Sequence, residues 1–228
     1  QNVNSYGKDF NNPYTFADLL RNISKTSGIK RIRFMTSHPK DLSDELILAM
    51  AESENLCKHI HLPIQSGSNK ILKEMNRRYT REDYFELVNK IRKHIPDASI
   101  TTDIIVGFPG ETDEDFADTL DVIKKVRYDS AYTFIYSQRS GPPAAKKPKQ
   151  IDKVIKKERL QILMDLQNSI SREINGKMND KIVKVLVEGL SKNRKDMYSG
   201  RTDDNKLVNF HGEKDAIGKI VEVRITQP

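Results

Sequence analysis

The chain has 228 residues, with 39 Lys+Arg, 32 Asp+Glu, a formal net charge of +7, one cysteine and no tryptophan. A lone Cys57 excludes a disulfide scaffold, no apolar run reaches the ~18–20 residues of a membrane span, and no signal-peptide pattern is present. The length suits one large domain or two small ones, the 36% hydrophobic content is enough for a packed core, and the expected compartment is the cytosol.

In chain order, the first part predicts strands alternating with amphipathic helices. β-rich apolar runs occur at 31–36 (RIRFMT), 59–64 (HIHLPI), 100–108 (ITTDIIVGF) and 131–136 (AYTFIY). Three helix starts carry capping-box pairs: Thr15 with Asp18, Thr80 with Asp83, and Thr112 with Asp115. Ser43 is a simpler N-cap for a helix through Leu46, Ile47 and Met50. The repetition predicts at least four parallel strands with right-handed crossovers, in an open sheet or a barrel. Ligands of such sheets bind at the C-terminal strand ends. That rule gathers Ser37-His38-Pro39, Gln65-Ser66-Gly67-Ser68, Gly107-Phe108-Pro109-Gly110-Glu111 and Ser137-Gln138-Arg139-Ser140-Gly141 on one rim.

A Pro- and Lys-containing loop follows at 141–148, then a helix over 151–174 with Ile155, Leu160, Leu163, Leu166 and Ile170 on its apolar stripe. After Gly176 the pattern turns to strands at 181–188, 206–210 and 217–226, with turn chemistry at Asp203-Asp204-Asn205. No helical pattern intervenes, which predicts a small all-β domain of about 50 residues, the scale of a five-stranded barrel. The charge divides the same way. Residues 1–137 hold 19 Lys+Arg and 20 Asp+Glu, while residues 138–228 hold 20 and 12, a net of +8. A basic segment on a neutral body fits either a polyanion partner, most simply a nucleic acid, or a solvated lysine-rich surface.

The segment 103–112 (DIIVGFPGET) runs from an apolar strand through a glycine turn into a capped helix. Gly107 and Gly110 allow close approach of backbone to a ligand, and equally allow a tight turn alone. Neither GxGxxG nor GxxxxGK[ST] is present, so Rossmann and P-loop readings lose support. Gln65 and Ser66 offer an amide and a hydroxyl suited to ribose or carboxylate, or a polar loop capped by Ser68. The Arg77-Arg78-Tyr79 run offers guanidinium groups for a carboxylate or phosphate, or for surface ion pairs. His59 and His61 share one strand face without other ligands at metal spacing, so no metal site is expected in this chain. Gln1 is not an initiator methionine, and 1–7 (QNVNSYG) reads like a strand end entering a loop, as in a piece of a longer protein.

Taken together, QNVNSYGKDF, RIRFMTSHP, HIHLPIQSGSNKIL, MNRRYTREDY, TTDIIVGFPGETDEDF, DSAYTFIYSQRSGPPAA and KLVNF with AIGKIVEVRI resemble the radical S-adenosylmethionine methylthiotransferases. The resemblance covers essentially the whole chain and leans toward the branch acting on isopentenyladenosine of tRNA. It implies an α/β fold: a partial parallel (β/α) barrel of radical SAM type, lacking its first strand, over residues 1–174. A small all-β TRAM barrel that binds RNA would follow over 175–228. It implies S-adenosylmethionine near Gln65, Ser66, Arg78, Ile105, Val106 and Gly107, with Asn2 and Asn4 near a catalytic cluster. Ser137, Gln138, Arg139, Ser140, Gly141, Lys146 and Lys147 would face the substrate, and the basic stretch 146–159 would hold RNA phosphates. Partners would be tRNA, S-adenosylmethionine and an electron donor, with no membrane.

The family carries two [4Fe–4S] clusters, one on a CxxxCxxC loop and one on three further cysteines. Neither set is in this sequence, and Cys57 cannot replace them. The chain alone is therefore expected to be inactive. A sibling enzyme acting on threonylcarbamoyladenosine or a ribosomal protein, and a non-catalytic RNA-binding scaffold, are the other readings that these features admit.

Overall fold

The capping residues open the helices where the sequence places them. α1 (Phe16–Ser24), α2 (Asp44–Glu52), α3 (Asn69–Glu74), α4 (Arg81–His94) and α5 (Asp113–Val126) start on Thr15, Ser43, Ser68, Thr80 and Thr112. Each hydroxyl accepts a first-turn N–H that no helix carbonyl can reach, a contribution of roughly 1 kcal/mol apiece. The three threonines form full capping boxes with Asp18, Asp83 and Asp115. The computed structural model describes residues 2–11, 14–35, 37–138, 149–192, 194 and 196–228.

β1 (His59–His61), β2 (Ser99–Val106) and β3 (Ser130–Ile135) form a parallel sheet in that order. Register pairs His61 with Thr101, Asp103 with Tyr132, and Ile105 with Phe134. Alternation along β2 then separates two faces. Ile60, Ile100, Ile104 and Val106 join Tyr84, Val88 and Ile91 of α4 and Val122 and Ile123 of α5 in one core. Each such side chain, removed from water, stabilises by roughly 1.5–3 kcal/mol. The opposite, concave face carries His59, His61, Thr101, Asp103, Ile105, Tyr132 and Phe134. Tyr132 and Phe134 are 52% and 51% exposed, unusual for a parallel sheet, whose faces are normally both covered.

Two strand expectations change. The run 59–64 is a ladder only to His61, because Pro63 has no N–H to give. Ile64 N–H turns to Thr102 Oγ1 at 3.0 Å, and pairing resumes at Gln65, opposite Ile104. The run expected at 31–36 does not form a ladder among its described residues, 31–35, and the bonds around it fall before β1 and at its end. Ile32 N–H reaches Asn55 O, Cys57 N–H reaches Ile32 O, and Ser37 N–H reaches His61 O. A single bridge, Ile32 to Leu56, is what remains of the expected fourth strand among the described residues.

α6 (Lys153–Gly176) keeps most of its predicted face: Leu163 and Ile170 are buried, and Leu160 and Leu166 pack partly buried against the core. Its buried stripe is Lys156, Arg159, Leu163, Gln167 and Ile170, while Ile155 points to solvent. Two long cationic side chains extend the stripe, because they find buried polar partners and lay themselves on Gly107 and Phe116.

β4 (Ile182–Leu190), β5 (Tyr198–Arg201), β6 (Leu207–Phe210) and β7 (Ile220–Arg224) form an antiparallel sheet in the order β6-β5-β4-β7. Among the described residues this small all-β domain has four strands, and β4 serves twice. Its first half pairs with β7, its second half with β5, and the register shifts between Val187 and Gly189. β5, short and polar, was missed by the sequence pattern. Val185, Val187, Tyr198, Phe210 and Ala216 make the small core.

The β domain is tied to the N-terminal ends of the parallel sheet. Arg31 donates to Arg201 O at 2.7 Å and pairs with Asp203 at 2.6 Å. Arg33 donates to Thr202 O and to Asn205 Oδ1, and Lys206 meets Asp129 at 2.6 Å. A cleft of about 830 Å³ lies at this junction, lined by His59, Thr101, Asp129, Arg201, Lys206 and Phe210 among others.

Candidate functional site

The site is built at the other end of the sheet, where the β1 and β2 lines run out. Gln65 N–H donates to Asp103 O and Ile105 N–H to Gln65 O, both at 2.9 Å, while Tyr136 N–H donates to Val106 O at 2.9 Å. The three strand ends are thus level. Gln65 is buried with φ +72, a left-handed conformation that a residue with a Cβ adopts only where its surroundings impose it.

The loop after Gln65 is fastened to α5. Gly67 N–H donates to Thr119 Oγ1 at 2.9 Å, and Ser68 Oγ donates to Asp115 Oδ1 at 2.6 Å. Lys70 Nζ reaches Asp115 Oδ2 at 2.5 Å and Gly110 O at 3.0 Å, so one carboxylate joins the two loops. Burial alone would raise the Asp115 pKa, but donation from Lys70, Ser68 and Thr112 outweighs it and holds the group at about 2. Across the turn, Gly107 (φ +72) donates its N–H to Glu111 Oε2 at 2.8 Å.

Residues expected at this site divide into those the fold presents and those it commits elsewhere. Ile105 faces the concave side beside Phe134, and Gly107 makes the turn. Val106 lies in the core behind the sheet. Ser66 is fully buried, its Oγ accepting Ser68 N–H and lying 3.5 Å from Thr119 Oγ1. Its hydroxyl braces the loop. Arg78 is exposed, whereas neighbouring Arg77 lies 3.3 Å from His38 Nε2. Asn2 Nδ2 donates to Asp41 Oδ2 at 2.7 Å, and the buried amide of Asn4 has neither atom paired. Ser137 and Gln138 are exposed just past β3. Arg139, Ser140, Gly141, Lys146 and Lys147 lie outside the described residues.

The expectation that 146–159 holds RNA phosphates is corrected at two positions. Lys156 and Arg159 are only 9% and 6% exposed and face the 107–111 turn. Sequence reasoning also missed Asp115, Tyr132 and Phe134 as site residues. Strict Ala131-Tyr132-Thr133-Phe134 alternation was the available signal for the last two.

On the concave face His59 Nε2 and His61 Nδ1 both lie 3.0 Å from Thr101 Oγ1. His59 is 2% exposed, and burial, then the charges of Arg33 and His61, lower its pKa to about 4. An unfolded His59 binds a proton near pH 6.5, so its contribution is complete above that value and is lost as pH falls toward 4. The span corresponds to about 3 kcal/mol. Urea midpoints measured between pH 7 and pH 4.5 should fall more steeply for the wild type than for His59→Gln; equal slopes would refute this.

A radical SAM superfamily profile matches residues 1–123, more than half of the chain. The chain belongs to the radical SAM superfamily. A TRAM domain profile matches residues 176–227, the stretch that contains β4 to β7. Curated relatives extend the likeness. The chain is 59% identical over 225 residues to the tRNA-2-methylthio-N(6)-dimethylallyladenosine synthase of Acetivibrio thermocellus, covering 99% of this chain and 47% of that protein. It is 60% identical over 227 residues to the protein of the same name from Alkaliphilus oremlandii, covering 100% and 48%. The chain spans about half the length of the curated relatives it matches. Among solved structures, coproporphyrinogen III oxidase from Escherichia coli, a radical SAM enzyme, aligns with a TM-score of 0.52 and 15% identity. That alignment covers 76% of this chain and 46% of the oxidase, a likeness of fold.

Membership in the superfamily implies S-adenosylmethionine and a [4Fe–4S] cluster. The residues present suit the first. Ile105 and Phe134, side by side, give an apolar wall for a purine, and the Gly107 turn brings backbone beside it. They do not suit the second. The sequence has one cysteine, which is buried, and the described residues hold no group of three or more His, Cys, Asp or Glu at ligand spacing.

Proposed function

We propose that this chain is the cofactor-turn and RNA-binding part of a tRNA methylthiotransferase that places a methylthio group on C2 of dimethylallyladenosine next to the anticodon. The observation that carries this reading is near-60% identity along the whole chain to synthases of that name. When bound, S-adenosylmethionine supplies the methyl group and, with an external electron donor, the radical chemistry that opens the C2–H bond.

The chain's own residues bind and orient. Ile105, Phe134 and the Gly107 backbone would seat the adenine of the cofactor, while Gln65 would offer a buried amide near its polar end and Asn4 would lie toward the cluster. Tyr132 would extend the same wall toward the substrate. The substrate base must leave its stack to reach this concave face. Exposed Lys181, Lys184, Lys192, Arg194 and Arg224 on and around β4 and β7 would bind phosphates and set register. Such an enzyme works in the cytoplasm, and no described helix is long and apolar enough to cross a membrane.

The test uses the longer protein that contains this chain, reconstituted with iron and sulfide and given tRNA bearing dimethylallyladenosine. Nucleoside mass spectrometry should show the methylthio product. Conversion of threonylcarbamoyladenosine alone would assign the chain to the sibling branch, and no conversion of either would favour an RNA-binding scaffold. This chain by itself should form no stoichiometric cluster on reconstitution, and its RNA affinity should fall steeply between 50 and 200 mM salt, following counterion release.

A further inference from the structure

α6 was expected to carry basic residues outward, and it carries two of them inward onto the candidate cofactor turn. Arg159 Nη1 donates to Glu111 Oε2 at 2.7 Å and to Glu111 O at 3.2 Å, and Nη2 donates to Asp113 Oδ1 at 2.7 Å. The same Glu111 carboxylate accepts Gly107 N–H at 2.8 Å. The guanidinium lies over the Phe116 ring, 5.6 Å from its centroid. One turn earlier, the Lys156 stem packs so closely on Gly107 that an added Cβ would stand 2.4 Å from Lys156 Cγ. Lys156 Nζ donates to Tyr136 O at 3.3 Å and sits 5.2 Å from the centre of the Tyr136 ring. The segment entering the helix adds a third tie, Gly110 N–H to Lys149 O at 2.8 Å.

Gly107, Gly110 and Glu111 are therefore each held from outside the sheet by 149–159. Tyr136, at the end of the neighbouring strand, is held by the same Lys156. A buried ion pair is a weak net stabiliser, since desolvation offsets most of its attraction. The guanidinium fork nevertheless fixes direction, since two separate nitrogens donate to two carboxylates, Glu111 and Asp113, and the single nitrogen of a lysine cannot reproduce that.

We propose that Arg159 and Lys156 of α6 are positioning residues for the cofactor turn. They fix the Gly107 backbone and the Tyr136 carbonyl at the strand ends, beside the Ile105 and Phe134 wall on which a flat adenine would rest. The proposal rests on the reading that this turn takes S-adenosylmethionine.

The experiment measures S-adenosylmethionine binding by equilibrium dialysis on the longer, reconstituted protein, alongside thermal unfolding and tRNA affinity. Gly107→Val tests the reading itself, and Arg159→Met, Arg159→Lys and Lys156→Met test the positioning. Arg159→Met should weaken S-adenosylmethionine binding about tenfold, raise its KM more than it lowers kcat, and leave tRNA affinity unchanged. Arg159→Lys should fall between, and Lys156→Met, which keeps the stem on Gly107, should lose about threefold. If Gly107→Val folds and binds S-adenosylmethionine normally, the reading of the turn is wrong. If Gly107→Val abolishes binding while folded Arg159→Met retains wild-type affinity, the positioning role is wrong. Loss of tRNA affinity with S-adenosylmethionine binding intact would make these residues phosphate contacts and overturn the proposal. Should Arg159→Met not fold, wild-type affinity in both Arg159→Lys and Lys156→Met overturns it equally.

Discussion

Gly67→Ala is expected to lower the stability of the chain by about 3 kcal/mol, the upper range for overpacking a rigid contact. The cause is approach, not conformational freedom. A Cβ at this position would stand 2.5 Å from Asp118 O and 2.5 Å from Thr119 Cα, and both belong to the α5 backbone. No rotamer change relieves a clash with backbone, so the loop or the helix must shift. Either movement stretches the 2.9 Å bond from Gly67 N–H to Thr119 Oγ1 and the Ser68 to Asp115 bond beyond it. Thr119→Val separates the two effects, because it keeps the shape and removes only the hydroxyl. It should cost about 1 kcal/mol. Gly176→Ala is the control: nothing stands within 4 Å of that Cβ, and the change should stay within about 0.5 kcal/mol. Urea unfolding of the three variants decides the matter, and equal midpoints for Gly67→Ala and Gly176→Ala would overturn the packing argument. In the longer protein, Gly67→Ala should also weaken S-adenosylmethionine binding, since Gln65 leads directly into this contact.

What could be read in advance was governed by local chemistry. Thr15, Thr80 and Thr112 announced their helices because a cap is decided within four residues. The order of parallel sheet then antiparallel sheet followed from a change in hydrophobic period near Gly176. The rim could be located because strand ends are where glycines and polar residues cluster. What could not be read depends on contacts distant in sequence. The sequence reads Ser66 as a ligand group and cannot show that its hydroxyl lies 3.5 Å from Thr119 Oγ1 of α5, 53 residues away. Lys156 and Arg159 sat in a basic run, and charge alone placed them at the RNA. Only the packing of α6 over the 107–111 turn reversed their direction. The bulge in β4, which lets one strand do the work of two, leaves little trace in composition beyond Gly189.

The Glu111–Arg159 pair supplies the second large effect, and its sign depends on which partner is removed. Their side chains are 1% and 8% exposed, so neither charge is well solvated. Glu111→Leu strands the guanidinium and leaves Gly107 N–H without its acceptor; a loss of about 3–5 kcal/mol is expected at every pH, since arginine cannot shed its proton. Exposed Asp113 remains as a partner for Nη2, but a solvated carboxylate returns little. Arg159→Leu behaves differently. Burial already raises the Glu111 pKa, while the Gly107 N–H and Arg159 pull it back. Without the arginine, Glu111 should be driven further up and take a proton. A group whose folded pKa lies above its unfolded value contributes stability at low pH and loses it as pH rises through the folded value. Arg159→Leu should therefore be closer to wild type at pH 5 than at pH 8, whereas Glu111→Leu should show the same deficit at both. The double variant Glu111→Leu/Arg159→Leu removes both stranded charges and should recover more than half of the Glu111→Leu loss. Unfolding curves at the two pH values complete the cycle. Additive losses would mean that the two side chains do not sense one another. A double variant that is stable yet binds S-adenosylmethionine poorly would show that the pair holds the turn in place more than it holds the fold together.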